Sequence, residues 1–431
     1  MILLYDFDTE NHIKIYTRGA DMRNLYFITL LFIGLAWNAI AQAQTYFIEN
    51  PLTAASTSAG LGETQPDYFA QNQGNLTEVE ISEMGIKAQR KYWTAERLRN
   101  AKPIDLPKAD ESVQRLDVIE TYSYEESVNE PGSRPLIRIK PNREKLFQPI
   151  KTEIQANSEN EAFTDYESAV DSYSYGTVGA YFTSSQVGPA PAAQHSWPFA
   201  PTGKLFFSSV SGAQFSCTAS VIKPRLILTA GHCVYDAKNK QWYQNFKFIP
   251  ASHNGSAPYG TWYAQWISTT NNWFNGGGNL PNRGDYALLE IQDNYLGQKI
   301  GSITGHYGYR TSALSPNHVT MLGYPAALDS GNWMHRVDSQ SFKSTLLNTV
   351  EYGTDMAQGS SGGPWVENFG LKSLGQSVAS GEMNYVVGVT SYGPTYSGPN
   401  YSGSSILDTQ FTNSSRTGIL DTACARSVGN C

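Results

Sequence analysis

The last three-fifths of the chain, residues 178–431, predict an all-β domain, either a sandwich or a barrel. Short apolar or alternating runs recur there at 205–207, 219–222, 226–228, 287–291, 319–322 and 386–389. Gly, Asn, Ser and Pro punctuate them, as expected of strands joined by turns. A second observation is a shift in charge. Residues 44–177 hold 14 basic and 22 acidic side chains, whereas the longer stretch 178–431 holds 14 and 12. The change places a domain boundary near residue 175.

From the start of the chain, Met22-Arg23-Asn24 precedes an apolar stretch over 25–36 and small residues to Ala43. This is the pattern of a secretory signal peptide, and the stretch is too short and mixed for a confident membrane span. Ala41-Gln42-Ala43 supplies the small residues a signal peptidase needs. Residues 1–43 are therefore the expected signal region, cut after Ala43 or alternatively after Ala41. Met22 is a candidate initiator, because Asp6, Asp8, Glu10 and Asp21 are odd ahead of an export signal. A signal anchor is the competing reading. The expected location is secreted or periplasmic, without membrane attachment after signal removal, and such compartments allow cysteines to oxidise.

Residues 44–177 contain a helical stretch at 80–99, where Ile81, Met84, Ala88, Ala95 and Leu98 fall near one face. Pro103, Pro107, Pro131, Pro135, Pro141 and Pro149 follow among charged residues, which suggests linker or extended chain. Such a segment between a signal peptide and the predicted β domain looks like a propeptide, acting as a chaperone for that domain or as an inhibitor occupying its cleft. A partly disordered spacer is the alternative. The net charge is −7, and neither part has the basic stripe that nucleic-acid binding needs.

Three motifs carry chemistry. Thr229-Ala230-Gly231-His232-Cys233 sets a histidine beside a cysteine after an apolar run. Gly284-Asp285-Tyr286-Ala287-Leu288-Leu289 sets an aspartate ahead of another. Gly359-Ser360-Ser361-Gly362-Gly363-Pro364 frames a serine with glycines, 129 positions after His232. A serine hydroxyl is a weak nucleophile at neutral pH and needs a base within hydrogen-bond reach. Histidine, with an ordinary pKa of ~6.5, suits that task, and a buried carboxylate fixes its tautomer and stabilises the imidazolium. The N–H groups of Gly359 and Ser361 can converge on one developing oxyanion, each donor being worth roughly 3–4 kcal/mol. The order His, Asp, Ser is that of one known triad lineage.

On these residues, 178–431 resembles the trypsin/chymotrypsin superfamily of serine endopeptidases. The run Gly-Val-Thr-Ser-Tyr-Gly at 388–393 is similar to the strand that pairs with substrate backbone in that family. Gly323-Tyr324-Pro325 resembles bacterial glutamyl-endopeptidase-like secreted members. The resemblance implies two packed antiparallel β-barrels, behind a signal peptide and a partly helical prosegment. His232 and Asp285 would come from the first barrel and Ser361 from the second. It implies a Cys217–Cys233 disulfide bracing the histidine loop, and Cys424 with Cys431 is the second pair expected. Free thiols or a metal site are the alternative, although no Cys-x-x-Cys supports zinc.

The implied activity is secreted serine endopeptidase, requiring neither metal nor organic cofactor. Its partners would be protein or peptide substrates and its own propeptide, and it would act as a monomer. A catalytically silent binding or scaffold protein on the same fold, or an esterase with the same triad, are the alternatives. Asp355 lies six residues before Ser361, where trypsin-like members keep the carboxylate that binds Arg or Lys. Bulky Met356 beside it and the missing bracing cysteines leave a structural role equally open. Thr390 stands where glutamyl endopeptidases use a histidine, and Gly393 completes the pocket candidates. Ser360 occupies the place of the aspartate that pairs with a new N-terminus in digestive relatives, so that zymogen switch is not expected. No Lys or Arg occurs from 152 to 203, so a strictly basic-specific enzyme could not cut itself near residue 175.

Overall fold

The computed structural model describes residues 3–7, 13–17, 68–73, 76–117, 127–149, 180–188, 191–371, 383–394 and 400–431. The expected signal segment 22–43 and the expected boundary at 177 lie outside them. The chain divides into units at residue 62. Of the first, the described part is an antiparallel pair, β1 (Leu3–Phe7) with β2 (Ile13–Thr17). Everything below belongs to the second unit.

Upstream of the expected boundary come β3 (Tyr68–Gln73), β4 (Leu76–Ile81), α1 (Glu83–Tyr92) and α2 (Ala95–Asn100). Short strands follow: β5 (Lys102–Pro103), β6 (Arg115–Asp117) and β7 (Asn129–Glu130). The stretch 80–99 is thus two helices rather than one. Ser82 caps the first by accepting from the Gly85 N–H, and Thr94 caps a second by accepting from Arg97. Each cap satisfies an N–H that has no partner inside its own helix. The buried face also differs from expectation, being Gly85, Ile86 and Gln89, with Met84 68% exposed. A strand ending at Ile81 resets the phase from which the helical face must be counted.

After β8 (Phe182–Gln186) the first barrel is built from β9 (Thr202–Ser208), β10 (Gln214–Val221), β11 (Leu226–Thr229), β14 (Gln244–Pro250), β15 (Trp262–Thr270) and β16 (Ala287–Ile291). The short pair β12 (Tyr235–Asp236) and β13 (Gln241–Trp242) lies between β11 and β14. The order β9-β10-β11-β16-β15-β14 closes when β14 pairs back to β9. In this register Cys217 faces Leu205, and Leu228 faces Leu288.

The second sheet holds β17 (Gly308–Arg310), β18 (His318–Gly323), β19 (His335–Thr345), β20 (Thr349–Gly353), β21 (Pro364–Glu367), β22 (Tyr385–Val389) and β23 (Tyr401–Ser405). Its order is β23-β20-β19-β18-β21-β22, and a bridge from Tyr392 to Gly403 joins the two ends. The architecture is two packed antiparallel barrels, as expected. Leu226, Leu228 and Leu288 of the first share one buried cluster with Leu322, Val366 and Val386 of the second.

The proline-rich stretch is docked chain rather than free linker. β4 pairs with β15, β5 with β10, β6 with β19 and β7 with β17, so upstream residues add strands to both sheets. Upstream side chains also cover the outer face of β9, which is buried along its whole length. Successive strand residues face opposite sides. Phe207 enters the barrel core, while Phe206 points out and is covered by Trp93, Leu98 and Phe147. The Trp93 and Phe206 rings lie 5.7 Å apart, edge to face.

Disulfides join Cys217 to Cys233 and Cys424 to Cys431. The first spans 16 residues of sequence, a closure worth roughly 3 kcal/mol in the chain-entropy model. Replacing Cys217 and Cys233 together with serine is expected to lower unfolding free energy by about that amount, read from urea titration.

Burial holds the His195 imidazole down to about 4 and lowers that of His253, with Arg143 and Lys145 of the upstream segment adding repulsion. The unfolded chain then binds more protons than the folded one as pH falls from ~6.5 to ~4. Stability present above that window is lost on acidification through it. The urea midpoint should therefore fall between these values, and should fall less in His195→Gln/His253→Gln.

Candidate active site

His232 sits in a single tight turn, Gly231–Cys233, directly after β11. The strand brings it to the junction of the barrels, and the disulfide at Cys233 ties that turn to β10. Asp285 lies two residues before β16, the strand paired with β11, and is fully buried. Its Oδ2 accepts from His232 Nδ1 at 2.8 Å, and its Oδ1 accepts from the His232 backbone N–H, also at 2.8 Å. The carboxylate therefore fixes both the ring and the turn that carries it. A third bond comes from the other barrel, where Ser391 Oγ donates to Asp285 Oδ2 at 2.5 Å. With Nδ1 donating to a carboxylate, the neutral ring leaves Nε2 as an acceptor. Nε2 is buried and without a hydrogen-bond partner among the described residues.

Ser361 precedes β21 in the second barrel. Its carbonyl accepts from the Thr218 N–H, and the Gly359 carbonyl accepts from Thr218 Oγ1, both at 2.8 Å. These bonds fasten the serine turn to β10. Gly362 makes the closest approach. A Cβ there would fall 2.0 Å from Thr229 Oγ1 and 2.8 Å from Ala230 N, just ahead of His232. Gly359 and Gly362 both have φ in the left-handed region, +88° and +78°, where glycine alone is unstrained. The two serines differ sharply. Ser360 Oγ donates to the Ala357 carbonyl at 2.5 Å, whereas Ser361 Oγ is buried without a partner among the described residues.

The pocket candidates separate. Thr390 is fully buried and its hydroxyl accepts from Trp365 Nε1 at 2.9 Å, inside the second barrel. Met356 lies in that barrel's core. Asp355 keeps one carboxylate oxygen, Oδ1, buried and without a partner among the described residues. Gly393 is bonded on both its N–H and its carbonyl by upstream residues 107 and 109. Sequence reasoning misses Ser391 as a site residue, although it reads its run as a substrate-pairing strand and takes Thr390 and Gly393 on either side as pocket candidates.

Residues 186–413, more than half of the chain, match the family model described as Trypsin. The chain belongs to the trypsin family. This trypsin-family chain is 29% identical over 191 residues to the glutamyl endopeptidase of Bacillus licheniformis, covering 42% of this chain and 56% of that protein. It is 25% identical over 178 residues to a Bacillus subtilis protein named extracellular metalloprotease, covering 40% and 53%. The chain thus spans about half the length of the curated relatives it matches. Similar solved structures include a thermostable serine protease from an extremophilic microorganism, 26% identical with a TM-score of 0.40 over 49% of this chain and 92% of that one. The Anisep protease of Arthrobacter nicotinovorans is 26% identical, with a TM-score of 0.41 over 48% and 90%.

Proposed function

We propose that this chain is a secreted serine endopeptidase that cleaves peptide bonds through an acyl-enzyme. The carrying observation is the pair of buried, partnerless atoms, His232 Nε2 and Ser361 Oγ, in turns that approach each other closely at Gly362. In this reading His232 Nε2 takes the proton of Ser361 Oγ as the hydroxyl attacks the scissile carbonyl. The Gly359 and Ser361 N–H groups stabilise the oxyanion. Collapse breaks the C–N bond, and the same Nε2 returns its proton to the departing amine. Water then repeats the sequence to release the acid and free Ser361. Asp285, held by Ser391, keeps the imidazole in its tautomer and stabilises the positive charge that His232 carries transiently.

Residues 44–177 act as the prosegment and 178–431 as the peptidase domain, behind a signal region at 1–43. The unpaired Asp355 oxygen supports a cationic side chain ahead of the cleaved bond. Thr390, committed to Trp365, offers no positive handle for an acidic one. Digestion of a mixed peptide library by the matured domain, read by mass spectrometry, tests both claims. Cleavage after Lys and Arg is expected. Cleavage after Glu would remove Asp355 from the pocket, and no cleavage of peptides or casein would favour a scaffold protein.

A further inference from the structure

Residues 102–110, Lys-Pro-Ile-Asp-Leu-Pro-Lys-Ala-Asp, are tied to the serine turn and to the walls beside it. Pro103 runs parallel to β10 opposite Ser216, and the Ile104 N–H donates to the Ser216 carbonyl at 2.9 Å. The Ile104 carbonyl then accepts from the Gly359 N–H at 3.3 Å. A peptide carbonyl thus occupies one of the donors assigned to the oxyanion. Gln358 Nε2 donates to Asp105 Oδ1 at 2.8 Å. Beyond it the Gly393 N–H donates to the Pro107 carbonyl, and the Ala109 N–H donates to the Gly393 carbonyl, at 2.9 and 3.0 Å. The Leu106 side chain lies against Gly393, and Ala109 is buried at 1% exposure.

We propose that residues 102–110 are a built-in inhibitor, lying along the cleft with chain direction opposite to that of a cleavable substrate. The inference rests on the peptidase reading above. In acyl transfer His232 must protonate the leaving nitrogen. The chain beyond the scissile bond therefore departs on the side of His232 and the Cys217–Cys233 disulfide. The chain before that bond extends toward Gly393. This strap does the reverse. The residues before the Ile104 carbonyl run beside Ser216, next to Cys217, and those after it reach Gly393. The nitrogen of Asp105 thus lies on the side away from the proton donor, and the Ile104–Asp105 bond survives. The bridge of Lys108 to Gly393 is parallel; a chain running the other way would form an antiparallel one. Occupying the oxyanion donor while withholding the leaving group makes an inhibitor that its own enzyme does not consume.

The test follows Ser361 labelling by a fluorophosphonate. Samples are full-length wild type, full-length Leu106→Asp and Ala109→Glu, and the domain from which an added protease has digested residues upstream of 180. Full-length wild type should label at least tenfold more slowly than the matured domain. Both variants, still uncut, should label nearly as fast as that domain. If Ala109→Glu fails to fold, Leu106→Asp carries this arm. A synthetic 102–110 peptide should slow labelling of matured domain in competition with substrate and be recovered intact. Equal labelling of full-length and matured wild type, or cutting of the peptide between Ile104 and Asp105, would overturn the proposal. Failure of the matured domain to label at Ser361 would instead sink the peptidase reading. Amide exchange then decides the strap: protection of Gly359 and Gly393 in the full chain, released by Leu106→Asp, upholds it, and unprotected amides refute it.

Discussion

Matured Ser361→Ala is expected to lose a factor on the order of 10⁶ in kcat, the loss seen when a triad nucleophile is removed. The residual rate should reflect binding and the oxyanion donors, which the substitution leaves in place. Folding should be unaffected, because Ser361 Oγ has no hydrogen-bond partner among the described residues and only its carbonyl is tied, to Thr218. Its fluorophosphonate labelling should vanish as well. Retained turnover with labelling at another serine would reject the assignment, and Ser360, whose hydroxyl is spent on Ala357, is the first place to look.

Asp285→Asn should cost about 10⁴ in kcat while leaving the fold in place. Its Oδ2 now accepts from both His232 Nδ1 and Ser391 Oγ, and its Oδ1 from the His232 N–H. The backbone bond must be kept by the amide oxygen, so the new NH₂ faces Nδ1. Nδ1 must then accept, the ring proton moves to Nε2, and the group that should take the serine proton already holds one. Measured kcat with matched circular dichroism checks this. A loss below tenfold would show that Asp285 does not set the tautomer.

Much of the site was legible because its chemistry demands rare local sequence. A serine between left-handed glycines, a histidine after a buried strand and an aspartate ahead of another each declare themselves within a few residues. Ser391 does not, since a lone serine in a strand-like run is unremarkable until the fold brings it to Asp285, 106 positions away. The strands were legible for the same local reason: the run at 287–291 matches β16 from end to end. The role of the prolines was not. Pro103 and Pro107 mark the strap as irregular chain, and only tertiary contacts show that it pairs with both barrels. The helical face differs from expectation because Ile81 ends a strand and the helix begins only at Glu83, so the two cannot be counted on one helical period.

If the chain is cut at the expected boundary, β9 loses the cover on its outer face. Phe206 and Ile249 are buried under side chains, Trp93, Leu98 and Phe147, that a matured domain would no longer carry. Such a domain would face water with part of its former interior. Its persistence would rest on slow unfolding rather than on a deep equilibrium minimum. After unfolding by heat, acid or reduction, such a domain is expected to regain activity in lower yield than the full chain, because only the latter keeps the cover over Phe206 and Ile249.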